Sequence, residues 1–523
     1  MSGRRAACRL AVGLYALSPA TARAEHWDYP NDPGILDPSF VYEVSQLPAT
    51  GAPANVPQPG WYWTTYQDSI NYRWNGGDLA PSEKFAYIFG RPQLMQTISL
   101  TSGVLSQSGL ACANSEECPG ANVYCGQVNG AVGVCIPSWF GLCNGWAGFA
   151  ASEVAPVSAV VRNGATFYPN DIEALMTLLY GDELDYREIG DRCDQTTPTV
   201  NSVGRDTDLT CRNINAGAFH VLMANLIGLR SGRLVVNENA SGEVWNRPVM
   251  SYSVTNTNPD GTIPQVDAVT ALELLGLDVK YVSLQSGIAV APYGQVGSSF
   301  VVPASGGGQY IFYASGSGLT SLSIMDSASN AVLCNSFTGG SIQECLVNLT
   351  ASQQVDYLLT STSYKGAPSV NVSLVTPKAD APYVYNESAS QFYFVQMSSQ
   401  LTGTPSAPTS SDTGVPVGNP HLHQYAYVLE TDAAGNILGG EWVAGSKSDH
   451  PNFAWSPVQQ PHDFGGGLLK YNEVKSLLNE SAGLTTNYTA GLVNPLIVSR
   501  RAGTMPVIVS PAGWVGAAPL FSN

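Results

Sequence analysis

A chain of 523 residues exceeds what one hydrophobic core organises and implies two to four domains. Hydrophobic residues make up 44% and charged residues 12%, enough to bury a core and unlike a disordered acidic chain. The formal charge of −17 argues against nucleic acid and anionic membranes as partners.

The first 24 residues read as a secretory signal. Arg4, Arg5 and Arg9 precede a short apolar run at 10–17, and Ala22-Arg23-Ala24 supplies small residues at a cleavage site. That run is far shorter than the roughly 20 residues of a membrane span, so the chain is expected to be secreted, with no membrane span. Cleavage removes four arginines and no acids, and the charge becomes −17 − 4 = −21.

Residues 25 to about 105 are aromatic and proline-rich, lack long periodic stretches, and read as a wrapping region. A cysteine-rich segment follows, roughly 105–140. Without Cys8, nine cysteines remain, and an exported protein normally pairs them. Cys193 and Cys211 bracket a polar loop, Cys334 and Cys345 flank a turn, and Cys112, Cys118, Cys125 and Cys135 crowd one Gly/Asn-rich stretch. Four bridges leave Cys143 free. Zinc is disfavoured in the cluster, which lacks a C-x2-C pair and any nearby histidine.

Three helices are then expected: one starting near Cys143, one over 171–179 capped by Asn170 or Asp171, and one over 218–228 ended by Gly228. From 286 to 377 short strands alternate with Gly/Ser turns, the pattern of a β-sandwich. The segment resembles the small pre-peptidase C-terminal domains of secreted bacterial peptidases. Residues 401–420 read as a linker or exposed loop, 425–442 as a hairpin, and 472–478 as a short helix before a tail.

A thiol at a helix N-terminus sits where unpaired N–H groups favour the thiolate and can hold an oxyanion. Cys143, with Trp146 three residues on, has the look of papain-like peptidases and of transglutaminases. For a base, His220 comes next in chain order, although its apolar surroundings equally suit a core histidine; His423 is the runner-up.

Gly242-Glu243-Val244-Trp245-Asn246-Arg247-Pro248-Val249 resembles the VWNQPV core of oomycete cell-wall transglutaminase elicitors, with Arg247 in place of Gln. The run FGLCNGWAGFAASEVAP resembles that family's active-cysteine segment, with Asn144 where His is frequent. Blocks at 167–175, 219–228, 427–443 and 450–455 follow in the same order. The resemblance implies an α+β fold, a papain/transglutaminase-like cysteine acyltransferase core with an inserted β-sandwich. The division is signal 1–24, catalytic region 25–285, sandwich 286–377, second catalytic part 378–485 and tail 486–523.

It further implies acyl transfer from a protein glutamine to a lysine amine, so protein substrates carrying Gln and Lys, and a calcium cofactor whose site the sequence does not locate. Cys143 is the implied nucleophile and His220 the base. The third member is Asn246 or Asp171, the latter also readable as a helix cap. Trp146 and Trp245 are candidates to wall the substrate site. A papain-like peptidase or amidase and a non-enzymatic adhesion or elicitor protein are the competing readings.

Overall fold

The computed structural model describes Trp27 and residues 31–484, except 129, 183, 193–210, 212, 239–242, 278, 305, 338–339, 378–385, 387, 405–406 and 410–417. The signal segment, Cys193 and the C-terminal tail therefore lie outside the described residues, as does part of the 401–420 loop.

The fold is mixed helix and sheet. Its centre is an antiparallel sheet whose main strands are β1 (Tyr186–Gly190), β2 (Val235–Asn237), β3 (Asn246–Val254), β4 (Gln391–Leu401), β5 (His421–Thr431), β6 (Ile437–Trp442) and β7 (Phe453–Pro457). They lie in the order β6-β5-β4-β3-β2-β7-β1. Alternation along each strand decides what packs on each face. Val235 and Trp455 join Trp146 on one face, while their neighbours Val236 and Ala454 join Phe219 and Leu222 on the other.

Helices α1 (Pro81–Phe89), α2 (Leu94–Thr101), α3 (Cys143–Ser152), α4 (Pro169–Asp182) and α7 (Tyr471–Ser481) build the layer on the first face. Neither α1 nor α2 is expected from the sequence, because at nine and eight residues each offers only about two turns in which to recognise a helix. End signals mark α1 all the same: Pro81 opens it, Glu83 accepts the Ala80 N–H at 2.8 Å, and Gly90 closes it at φ 64°.

On the opposite face lies α5 (Ala216–Leu222), which continues as a wider π-helical turn over Met223–Leu229, not as the plain α-helix read from 218–228. Asn225 accounts for the change. Its side-chain amide donates to Val221 O at 2.9 Å and to Val41 O at 2.8 Å, competing for a carbonyl of the helical ladder. Close seating of α5 on the sheet requires Gly217, where a Cβ would come 2.4 Å from Gly439 O.

Two four-stranded antiparallel sheets stack around a core of Phe312, Leu322, Ile324, Val355, Leu359 and Val372. The first contains Val279–Val290, Ala367–Pro377, Gly308–Ser315 and Ile342–Leu349. The second contains Gln295–Val301, Gln354–Thr360, Ser321–Asp326 and Val332–Ser336. The boundary expected at 286 falls inside the strand Val279–Val290, which is largely exposed on both sides and so has no alternating period to read. Helix α6 (Ala268–Leu274) sits at the junction, where Leu272 shares a cluster with Ile311 and Val375 of the sandwich and Phe392 and Val428 of the central sheet.

Disulfides join Cys112 to Cys125, Cys118 to Cys135 and Cys334 to Cys345; Cys211 is also disulfide-bonded. Among the described residues Cys143 is the free cysteine, and no helix is long and apolar enough to cross a membrane.

Candidate active site

Cys143 is the first residue of α3, a helix buried along almost its whole length. The helix is drawn onto α4 by Gly145, where a Cβ would lie 2.1 Å from Thr177 O. The aromatic strap before α1 fixes its start, since Leu142 N donates to Tyr62 O at 2.6 Å. The thiol therefore sits at an N-terminus held from two sides, where backbone N–H groups stabilise negative charge.

The sulfur has two polar contacts. Its S–H reaches Val244 O at 3.5 Å, and the Asn246 side-chain amide donates to Sγ at 3.5 Å. The amide is oriented in turn, because Trp455 Nε1 donates to Asn246 Oδ1 at 2.8 Å. With the oxygen occupied, the NH2 group must face the thiol.

The two tryptophans differ in role. Trp146 is fully buried against the Gly60 backbone and is a core residue. Trp245 is half-buried, meets Tyr62 edge-on at 5.2 Å between centroids, and donates from Nε1 to Glu243 at 2.9 Å. Tyr62 closes the cluster. Burial first, with the neighbouring Tyr66 and then Cys143 among the smaller contributions, pushes its phenol well above the usual range.

His220 is not brought to the thiol. It lies fully buried on α5, with Nδ1 2.8 Å from Tyr427 Oη, and burial lowers it to about 4. The central sheet runs between α5 and α3, and no histidine of the described residues is in hydrogen-bond contact with Cys143. Nor does Asp171 approach it. That carboxylate accepts from Lys84 Nζ at 2.6 Å, Trp74 Nε1 at 2.9 Å and Tyr168 N at 2.8 Å, tying α1 to the start of α4. Burial pushes it up against the pull of Lys84. Its geometry is that of the helix-terminal anchor read as the alternative role. His423 faces Glu238 on the α5 side of the sheet.

A small open pocket adjoins Asn246, lined by Asn144, Tyr186, Glu188, Phe453 and Trp455 among others. Glu188 stands opposite Trp455 in the β1–β7 register. Burial, aided by Asp191, raises its carboxyl to about 7. It is a candidate proton carrier that the sequence does not reveal, since a glutamate within YREIG looks like any exposed strand residue.

Calcium, implied by the resemblance, takes roughly six to eight oxygen ligands. Among the described residues, the groups of three or more potential ligands are Cys112, Cys118 and Cys135, whose sulfurs are in disulfides, and Glu238, His421 and His423. Neither is an oxygen shell, so these clusters do not fit calcium.

The family model described as "Transglutaminase elicitor" matches residues 36–267 and 378–483, passing over 268–377. Among solved structures, the GP42 transglutaminase from Phytophthora sojae matches with a TM-score of 0.50 at 24% identity, covering 85% of this chain and 94% of that one. The pre-peptidase C-terminal domain of collagenase from Bacillus anthracis matches with a TM-score of 0.14 at 10% identity, over 19% of this chain and 88% of that one. None of the curated proteins compared with the chain matches it.

Proposed function

This chain belongs to the transglutaminase elicitor family, and we propose that it is a secreted protein-glutamine γ-glutamyltransferase with Cys143 as nucleophile. The observation that carries the reading is the free thiol at the start of α3 with an oriented amide directed at its sulfur. The disulfides, and the lack of a membrane-spanning helix among the described residues, fit an extracellular setting. The strands around Phe312 form an insertion between two parts of the catalytic unit, in keeping with the gap in the family match.

In this reading Glu188 takes the thiol proton, directly or through a water, in the role first expected of His220. The thiolate attacks the carboxamide carbon of a glutamine. Asn246 Nδ2 and the first N–H groups of α3 hold the oxyanion. Collapse expels ammonia, which takes the proton back, and leaves a thioester. A lysine amine attacks next, loses a proton to the carboxylate, and displaces the thiolate to give an isopeptide bond. Tyr62 and Trp245 shield the thioester from water.

The test is incorporation of a fluorescent alkylamine into a glutamine-containing protein, with and without Cys143→Ala and prior iodoacetamide. Labelling that both treatments abolish supports the reading; labelling that survives either overturns it. Peptide cleavage without amine incorporation points to a peptidase or amidase. An EGTA arm with calcium added back tests the cofactor implied by the family. One observation favours a second, non-enzymatic reading: among the described residues no histidine is in hydrogen-bond contact with the thiol. A wild-type Cys143 inert to iodoacetamide in the folded protein selects that reading.

A further inference from the structure

On the face of the sheet opposite Cys143, the end of β2 meets the start of β5. Two histidines spaced i, i+2 on a strand point to the same face, so His421 and His423 stand side by side toward Glu238. Their ligand atoms and a Glu238 oxygen lie within 4.8 Å of one another. His421 Nδ1 is 3.3 Å and His423 Nε2 3.4 Å from the same oxygen, Glu238 Oε2. Direct charge-assisted bonds between these groups are shorter, about 2.7–2.9 Å. Donors held about 2.1 Å from a tetrahedral ion stand about 3.4 Å apart, the separation found here.

We propose that Glu238, His421 and His423 form a binding site for a divalent transition-metal ion of the zinc class. Two imidazoles and one carboxylate are a borderline-soft donor set, suited to zinc, cobalt or nickel and unsuited to calcium. The surroundings hold the ligands in place. Glu238 is buried and Tyr425 Oη donates to its backbone carbonyl at 3.3 Å, while the His423 ring stacks on Tyr425 with 13° between planes. Supporting contacts of this kind orient metal ligands. His421 is 42% exposed, so the fourth position opens to solvent.

Arg247 is the opposing element. Its guanidinium bonds both oxygens of Glu238, fixing the carboxylate but adding a positive charge beside the ion. Arg247 follows Asn246 on β3, so this site lies back to back with the thiol through a single strand.

Untagged full-length protein, stripped with a chelator, is titrated with Co2+ while visible absorption is followed, and with Zn2+ by calorimetry. One equivalent is expected to bind with the intense visible band of a tetrahedral site. His421→Ala and His423→Ala should each weaken binding by at least about tenfold, with circular dichroism unchanged. Arg247→Gln should tighten it. Retention of the band in both histidine variants places the ion elsewhere and overturns the proposal. Binding seen only after Arg247→Gln also overturns it, leaving the cluster of this chain an ion pair.

Discussion

Cys143 and Asn246 lie 103 residues apart in sequence, and their meeting depends on a third residue, Trp455. A freely rotating amide would present its oxygen to the sulfur half the time. Asn246→Ala is therefore expected to lower kcat for amine incorporation by ~10²–10³-fold, the usual worth of one oxyanion donor. Trp455→Phe should cost less, because the amide stays but loses its orientation. Wild-type turnover in Asn246→Ala would remove the amide from the mechanism. Glu188→Gln is expected to lower turnover by ~10²–10⁴-fold and to abolish the rise of the iodoacetamide rate through pH 7. If His220→Ala has that effect and Glu188→Gln does not, the proton carrier acts from behind the sheet and the assignment fails.

Between elements, contact distance sets the tolerance. A methyl group at Gly145 would meet the α4 backbone at 2.1 Å, and backbone cannot turn aside as a side chain can. Gly145→Ala is expected to destabilise by about 3 kcal/mol, the upper end for overpacking, and to displace Cys143. A melt indistinguishable from wild type would show that α3 and α4 separate easily. The sandwich poses the same question on a larger scale. Excising 286–377 would cut the strand Val279–Val290 and leave its first half without its partner strand Ala367–Pro377, so aggregation through that bare edge is expected. Excising 279–377 removes that half-strand as well, leaves α6 over Phe392 and Val428, and should yield a folded enzyme, measured by circular dichroism and amine incorporation. Loss of the fold in that variant too would show that the sandwich belongs to the core.

Taken as a whole, the molecule buries ionisable groups that pull stability in opposite directions. Burial lowers His220 and His450 to about 4 from their usual 6.5, so their contribution is complete above 6.5 and is lost as pH falls toward 4. Burial raises Glu173 and Glu344 to about 8 from 4.5, so theirs is complete below 4.5 and is lost as pH rises through 8. Between pH 6.5 and 8 the histidines no longer change and the carboxyls act alone. Tm should therefore fall across that interval, and Glu173→Gln should flatten the fall; a slope equal to wild type would show that Glu173 is not proton-loaded in the fold.

Local chemistry was legible from the sequence alone. Parity and neighbourhood singled out Cys143 among nine cysteines, Gly and Ser marked the turns of the sandwich, and a capping residue at 170 or 171 marked the beginning of α4. These signals are local because capping, turn formation and short disulfide loops are local. The hexapeptide at 244–249 likewise pointed to Asn246, although the sequence made it a third member beside Cys143 and His220 and the fold aims it at the sulfur itself. The tertiary structure alone decided which side of the sheet each residue occupies. A one-residue step along a strand moves a side chain from one face to the other, and chain order carries no record of that choice. His220 therefore follows Cys143 in sequence yet lies behind the sheet, whereas Glu188, Trp455 and Asn246, from three different strands, share its other face beside α3.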